Sequence, residues 1–519
     1  MLGDLAMRSR HLVEHYSDAG LTARSLFRES AAAQWTPYFY SGSAAWAGAV
    51  MGLHALAALL LLVGYRVRAA TAVCLVLQLS LVMRNPVVFE TGDVLMVWLL
   101  LWSLFLPTGA RASIDALRWR AAAAKKPEAG GAPAGLPTHQ TVRSVASAAL
   151  LLQVAVVYWT AVTARVNADW WGDLSAVHYA LFGNFGKPLG HVVGRFPIVT
   201  AVLTAATMAF EFTGPIVALL ANRMPRVRTA VAVAFIFFHL SLAATMYVGE
   251  FVLVCCAAWL PFIPSEAWDA LGRISAVRRF VSATRRWATA VAERLPVWKG
   301  AAAPADPARP LPPLVMYGAT ALFAYVVLVN LVGLAPAAIS SRLNRLPRLK
   351  QNWAVMTEFV HEDRRTVLEA TLADGSSCVI RTLPEADPPP TSLRVLLWPP
   401  DDHGNRRFCD WLWVSLMRGY GGAELPATVC DYYARQWNAA HPPQRRVVEI
   451  RCVCESSPAA PPHIGKSVDE LLGVAPTAPV VTRYLRHTWR ADGTAPAPPP
   501  PADATASAAT ETPAQTTRH

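Results

Sequence analysis

The residues best able to do chemistry fall in three polar stretches, each beside an apolar run. The first is Arg84-Asn85-Pro86-Val87-Val88-Phe89-Glu90-Thr91-Gly92-Asp93, where a guanidinium, an amide and two carboxyls flank a Pro/Gly reversal. The second is Arg165-Val166-Asn167-Ala168-Asp169-Trp170-Trp171-Gly172-Asp173, followed by His178 and Tyr179 on an amphipathic helix. The third joins His239, at the end of the apolar run Phe235-Ile236-Phe237-Phe238, to Glu250 just beyond it, and Glu211 lies in a similar apolar setting. Carboxyls and imidazoles move protons, arginine and asparagine hold anions or carbonyls, and adjacent indoles offer a stacking face. Arg165, Asp169, His239 and Glu250 are therefore the candidate catalytic residues. Arg84, Asn85, Asp93, Trp170, Trp171, His178 and Glu211 are the candidate ligand-binding residues.

Each has a plainer reading. An ionisable group in an apolar run is costly, so Glu211 and His239 could serve Arg–Glu or His–Glu pairs between helices. Arg165 could snorkel to an interface, Trp170 and Trp171 could be interfacial anchors, and residues 84–93 could be a solvated loop. No hydrolase elbow, P-loop or zincin signature is read, and no metal is expected.

The elements that must position these residues are apolar. The chain is 54% hydrophobic and 16% charged, with mean hydropathy +0.30, against about 25% charged in a soluble protein. This composition predicts a polytopic α-helical membrane protein. Eight runs approach the ~20 residues that a bilayer requires: 44–64, 69–83, 93–107, 142–164, 197–221, 229–247, 250–264 and 312–335. Arginines and lysines concentrate in alternate loops: Arg66 and Arg68; Arg111 to Arg143; Arg223, Arg226 and Arg228; Arg273 to Lys299. That assigns those loops to the cytoplasm. The net charge of +12 is thereby read as topology and contact with anionic lipid. The basic clusters lack the interleaved aromatics of a nucleic-acid binder. Loops 84–93, 165–195 and 248–250 then share the lumenal or extracellular face, together with the part C-terminal to about residue 335. The same parity puts the N-terminus outside, although Met1-Leu2-Gly3-Asp4-Leu5 lacks the basic-then-apolar order of a signal peptide.

Residues 1–43 are polar and broken, with a short helix before the turn His15-Tyr16-Ser17-Asp18-Ala19-Gly20. Residues 271–294 have the pattern of an Arg-rich amphipathic helix on the inner leaflet. A small α+β extramembrane domain is expected over 336–490, with strands near 366, 392 and 447, helices near 408–417 and 425–440, and a hairpin turn at Asp374-Gly375. Residues 491–519 are Pro/Ala/Thr-rich and are read as a disordered tail. Of eight cysteines, Cys74, Cys255 and Cys256 lie in apolar runs, and the other five are C-terminal with no zinc spacing. A Cys409–Cys430 disulfide is open if that part faces an oxidising space.

Several elements in order resemble the horizontally transferred transmembrane (HTTM) domain family, which includes vitamin K-dependent gamma-carboxylase. They are Gly64-Tyr65-Arg66-Val67-Arg68, Arg84-Asn85-Pro86, Gly92-Asp93, Leu106-Pro107-Thr108-Gly109, Ser113-Ile114-Asp115-Ala116-Leu117, Phe238-His239, Gly249-Glu250-Phe251 and Gln351-Asn352-Trp353. The closest local match is Tyr158 to Trp170, which looks like the carboxylase segment ending Lys-Lys-Leu-Asp-Ala-Asp-Trp. The resemblance covers residues 1–353 and implies one more span ahead of residue 1, ending in a pattern like Asp4-Leu5-Ala6-Met7-Arg8.

The resemblance also implies a cavity on the outer face for reduced vitamin K or another quinone. Arg165 stands where it implies a lysine base. An arginine does not give up its proton, which argues against glutamate carboxylation and leaves anion or quinone binding open. The expectation is therefore an outer-face site for a quinone or lipid-like ligand, capped by the α+β domain. It could serve a divergent carboxylase-like or quinone-dependent lyase or oxidoreductase. The alternatives are a non-catalytic membrane scaffold and, with no inverted repeat visible, a small-molecule transporter.

Overall fold

The computed structural model of the chain describes residues 1–27, 36–88, 90–110, 112–118, 142, 144–183, 185–294, 312–332, 353, 355–357, 359, 361–384, 403–419, 422, 424–458 and 481–493. They are mostly helical. Two short helices open the chain, α1 (Leu2–Arg10) and α2 (Leu12–Tyr16). The apolar set follows as α3 (Ala44–Val63), α4 (Val67–Arg84), α5 (Thr91–Ser103) and α6 (Val145–Ala164). Short helices α7 (Ala168–Trp171), α8 (Ala176–Phe182) and α9 (Pro188–Gly194) lead to α10 (Pro197–Leu220), α11 (Pro225–Thr245), α12 (Phe251–Trp259), α13 (Ser265–Arg273), α14 (Ser275–Arg294) and α15 (Pro313–Val332).

Five of these are long and apolar enough to cross a membrane: Ala44–Val63, Val67–Arg84, Val145–Ala164, Pro197–Arg223 and Pro225–Thr245. A sixth is reached if Phe251–Phe262 and Ser265–Arg273 count as one, but the two are bent by 100°. One of the eight expected spans, 93–107, is the shorter apolar helix Thr91–Ser103. The outward sides of the long helices are greasy: Leu53, Leu56, Leu59 and Leu62 on α3, Ile198 and Val202 on α10, and Phe237 on α11 are exposed.

Local chemistry explains the helix ends. Ser43 accepts a hydrogen bond from the Trp46 N–H at 3.2 Å to start α3, and Gly64 closes it in a left-handed conformation. The start of α4 is capped from a distant part of the chain: the Asp115 carboxylate accepts from the Arg66 and Val67 N–H groups, each at 3.0 Å. Ser144 and Ser147 form a reciprocal cap on α6. The core centres on α5, where Trp98 and Trp102 are wholly buried with Val154 and Tyr158 of α6 and Cys255 and Trp259 of α12.

A second compact unit comprises Arg364–Leu383, Leu412–Ser456 and Val481–His519. Its sheet has the order β2-β1-β3-β4, with β1 (Glu362–Leu372), β2 (Ser377–Leu383), β3 (Val447–Pro458) and β4 (Thr482–Arg490). The β1/β2 and β3/β4 pairs are antiparallel, and helices α16 (His403–Arg418) and α17 (Glu424–Ala440) come between β2 and β3. Alternation puts Thr366, Leu368, Ala370, Ile450, Cys452 and Cys454 inside, against Leu416, Val429 and Cys430. Glu369, Glu449, Glu455, Arg483 and Arg490 pair across the exposed side.

The strand expected near 392 lies outside the described residues, as does the C-terminal tail from 494. The strand β4 was not anticipated, because its arginines obscure the alternation of Tyr484, Arg486 and Thr488. All eight cysteines are free, so no Cys409–Cys430 disulfide is present. The Cys430 thiol instead meets Cys452 across the helix–sheet core.

Candidate functional site: an acidic cavity around Arg8

Helical spacing places Asp4 and Arg8 on one side of α1, and Arg8 Nε donates to Asp4 Oδ1 at 2.5 Å. The same guanidinium donates to both Asp93 oxygens at 2.9 Å, to Glu250 Oε1 at 2.8 Å and to the Tyr16 hydroxyl at 3.1 Å. Asp93 also accepts from Gln78 Nε2 at 2.8 Å and from the Glu90 N–H at 3.1 Å.

Gly92 makes this meeting possible. A Cβ there would stand 2.8 Å from the Phe251 Cα, so only glycine lets α5 and α12 start side by side, with Asp93 next to Glu250. The Glu90 and Glu250 carboxyls lie against each other. Asp4, Glu90, Asp93 and Glu250 thus surround a single arginine. Burial opposes the Arg8 cation, but Asp4, Asp93 and Glu250 outweigh it and raise its basicity above the ordinary value. Burial pushes the Tyr16 hydroxyl up to about 12, against the pull of Arg8.

A cavity of about 40 Å³ opens on this cluster, lined by Asp4, Met7, Arg8, His11, His15, Tyr16, Val88, Glu90, Gly249 and Glu250. That is room for about three water molecules. Chemically it can hold and pass protons between carboxyls and imidazoles, or accept a small cationic or hydrogen-bonding group.

Arg165 and Glu211 are placed differently. Arg165 Nη1 donates to Glu211 Oε2 at 2.5 Å, and the guanidinium lies 4.1 Å from the centroid of the Trp170 ring. Val355, Met356, Thr357 and His361 meet this group. Trp170 Nε1 donates to the Met356 carbonyl at 3.0 Å, Asn167 Nδ2 to the Thr357 carbonyl at 2.9 Å, and Arg165 Nη2 to the Val355 carbonyl at 3.5 Å. Asp169 meets His361 Nε2 at 3.1 Å and accepts from the Ser175 hydroxyl at 3.2 Å. The His361 ring stacks on Tyr179 at 3.9 Å. Burial, with Asp169 and Asp173 nearby, raises the Tyr179 hydroxyl. Trp171 is exposed, with its Nε1 donating to the Arg165 carbonyl at 2.6 Å.

The remaining candidates are separate again. His239 Nδ1 donates to the Phe235 carbonyl at 2.7 Å, which leaves Nε2 to accept from the Tyr158 hydroxyl at 3.3 Å. Trp259 Nε1 in turn donates to that hydroxyl at 2.8 Å. Arg84, the last residue of α4, is wholly buried and donates to the Thr22 carbonyl at 3.0 Å. Asn85 Nδ2 donates to the His15 carbonyl and to the Thr22 hydroxyl, each at 2.9 Å. His178 Nδ1 lies 3.2 Å from the Gly194 carbonyl.

The three polar stretches therefore do not line one cavity. Glu90, Asp93 and Glu250 of the first and third converge on Arg8, while Arg165, Trp170 and Glu211 meet one another and Asp169 meets Ser175 and His361. Asp4, Arg8, His11, Glu14, His15, Gln78 and His361 were not among the expected site residues. Two signals could have found most of them. One is the Asp4/Arg8 i, i+4 pair. The other is His11-Leu12-Val13-Glu14-His15, a histidine–glutamate spacing used for metal binding. That order differs from the zincin His-Glu-x-x-His and lies in a polar, broken segment. Compared with known proteins, the chain matches no family model, no curated protein and no solved structure.

Proposed function

We propose that this chain is a multi-pass integral membrane protein of HTTM type, and that its working site is the acidic cavity around Arg8. Glu250 and Glu90 handle protons there for a quinone- or lipid-like ligand that presents only an oxygen to the cavity, its body lying outside. Exposed apolar faces on α3, α10 and α11 support the membrane reading, because a water-facing helix would carry polar residues there. The eight expected spans, the outer-face placement of the cavity and the lumenal or extracellular placement of the α+β unit follow from the alternation of basic loops.

The observation that carries the choice of site is the Glu90–Glu250 contact beside an arginine gripped by three carboxylates and open to a cavity. Two carboxyls in contact can share a proton and form an acid–base pair. Glutamate carboxylation through Arg165 is not proposed: that guanidinium is held by Glu211 and Trp170 and cannot act as a base.

The test is consumption of reduced quinones, with and without labelled bicarbonate, by the full chain in liposomes. Glu250→Gln should abolish turnover, and Arg165→Lys should leave most of it. Inactivity of the unaltered chain toward every reduced quinone would overturn the proposal. The second reading, a non-catalytic scaffold, is favoured by one observation: Arg84 and Asn85 are spent on pinning the His15–Thr22 turn rather than on facing a cavity.

A further inference from the structure

His11, Glu14 and His15 follow one another at i, i+3 and i+4 around the start of α2. The His15 N–H donates to the His11 carbonyl at 2.9 Å, so the turn is helical and the three side chains share a side. One ligand atom from each lies within 4.8 Å of the other two. His11 Nδ1 and Glu14 Oε2 are already 2.6 Å apart, and the two imidazole centroids are 5.8 Å apart. The fold holds this turn in place. The Leu21 N–H donates to the Glu14 carbonyl at 2.7 Å, and the His15 carbonyl accepts from Asn85 and Thr22. His15 is buried while His11 and Glu14 are half-buried, so the group is anchored on one side and reachable on the other. Independently, both histidines line the cavity that contains Glu90 and Glu250.

We propose that His11, Glu14 and His15 bind one Zn²⁺ ion, with a fourth coordination position open to that cavity. Two imidazoles and one carboxylate are a borderline-soft donor set, which suits zinc and disfavours calcium or magnesium. Three protein ligands with one open position is the arrangement of a reactive zinc rather than a structural one. Binding exchanges the His11–Glu14 hydrogen bond for metal bonds and requires neutral imidazoles, so protons compete with the metal. A water on the ion would sit in the cavity beside Glu90 and Glu250 and be acidified by the metal. The metal site stands on its own geometry and does not depend on the quinone reading.

The experiment uses the untagged full chain in detergent, stripped with chelator and titrated with Zn²⁺ by calorimetry. Co²⁺ substitution serves as a spectroscopic readout. The expected result is one Zn²⁺ per chain and the visible absorption bands of a four-coordinate Co²⁺ site. His15→Ala and His11→Asn should each weaken Zn²⁺ binding by at least about 100-fold, which is as much as losing an outer-shell partner can cost. His441→Ala, far along the chain, should leave binding intact. Sub-stoichiometric Zn²⁺ uptake, or uptake that survives the His11→Asn/His15→Ala double variant, would overturn the site. If either variant misfolds, absence of the Co²⁺ bands in the unaltered chain does so alone.

Discussion

Arg8 and Arg165 are both buried, yet their surroundings give them different work. Arg165 has one carboxylate, one indole, the Met208 sulfur and the Val355 carbonyl. Its pair with Glu211 is a buried ion pair between the end of α6 and the interior of α10, so removing one partner leaves the other charge unmatched. Glu211→Gln should lower stability by about 3–5 kcal/mol, while the Arg165→Met/Glu211→Leu double variant should recover most of that loss. Thermal unfolding in detergent measures both, and strictly additive losses would refute the pairing. An inter-helix partner for Glu211 was legible in the sequence, because a lone carboxyl in an apolar run demands one. That the partner is Arg165 was not. Arg8 escaped notice as a site residue because it lies in a short polar segment, where an arginine costs nothing until the fold buries it.

Among the elements, α14 is the one most fully written in the sequence. Its period-3.6 pattern puts Val277, Phe280, Val281 and Trp287 on one side and Arg278, Arg279, Arg285 and Arg286 on the other. None of its residues is buried, and the 100° bend between Phe251–Phe262 and Ser265–Arg273 turns the chain from the direction of the long helices toward a crosswise one. An amphipathic helix of this kind is expected to lie in a bilayer surface rich in anionic lipid. A nitrobenzoxadiazole (NBD) label at Phe280→Cys should shift to the blue in anionic liposomes. Replacing Arg278, Arg279, Arg285 and Arg286 with glutamate should remove the shift, and an unchanged spectrum in those liposomes would rule the placement out. Other elements were less legible. The length of α5 falls short of a full span, since apolar composition marks a run without saying where the helix within it ends. The cap on α4 comes from Asp115, which no local signal at Arg66 could reveal.

For the whole molecule, the alternation of basic loops makes a prediction about sides. A thiol introduced at exposed Val166 and one at exposed Val448 should react with an impermeant reagent from the same face, and one at Ile274 only from the other. Labelling of Val166→Cys and Ile274→Cys from one face would break the topology. By itself the sequence determined what is additive along the chain: the apolar runs, the amphipathic helix, the α+β unit after them, and the positions of costly charges. Each of these is a sum over neighbouring residues, so local periodicity and composition carry it. Only the tertiary structure decided which charges meet. Glu250 reaches Arg8 across 242 residues, and it does so because Gly92 lets two helix ends touch. No local pattern encodes a contact made at that separation. The stretches expected to share one cavity thus divide between an acidic cavity at Arg8, bordered by a His–Glu–His turn, and a buried ion pair at Arg165.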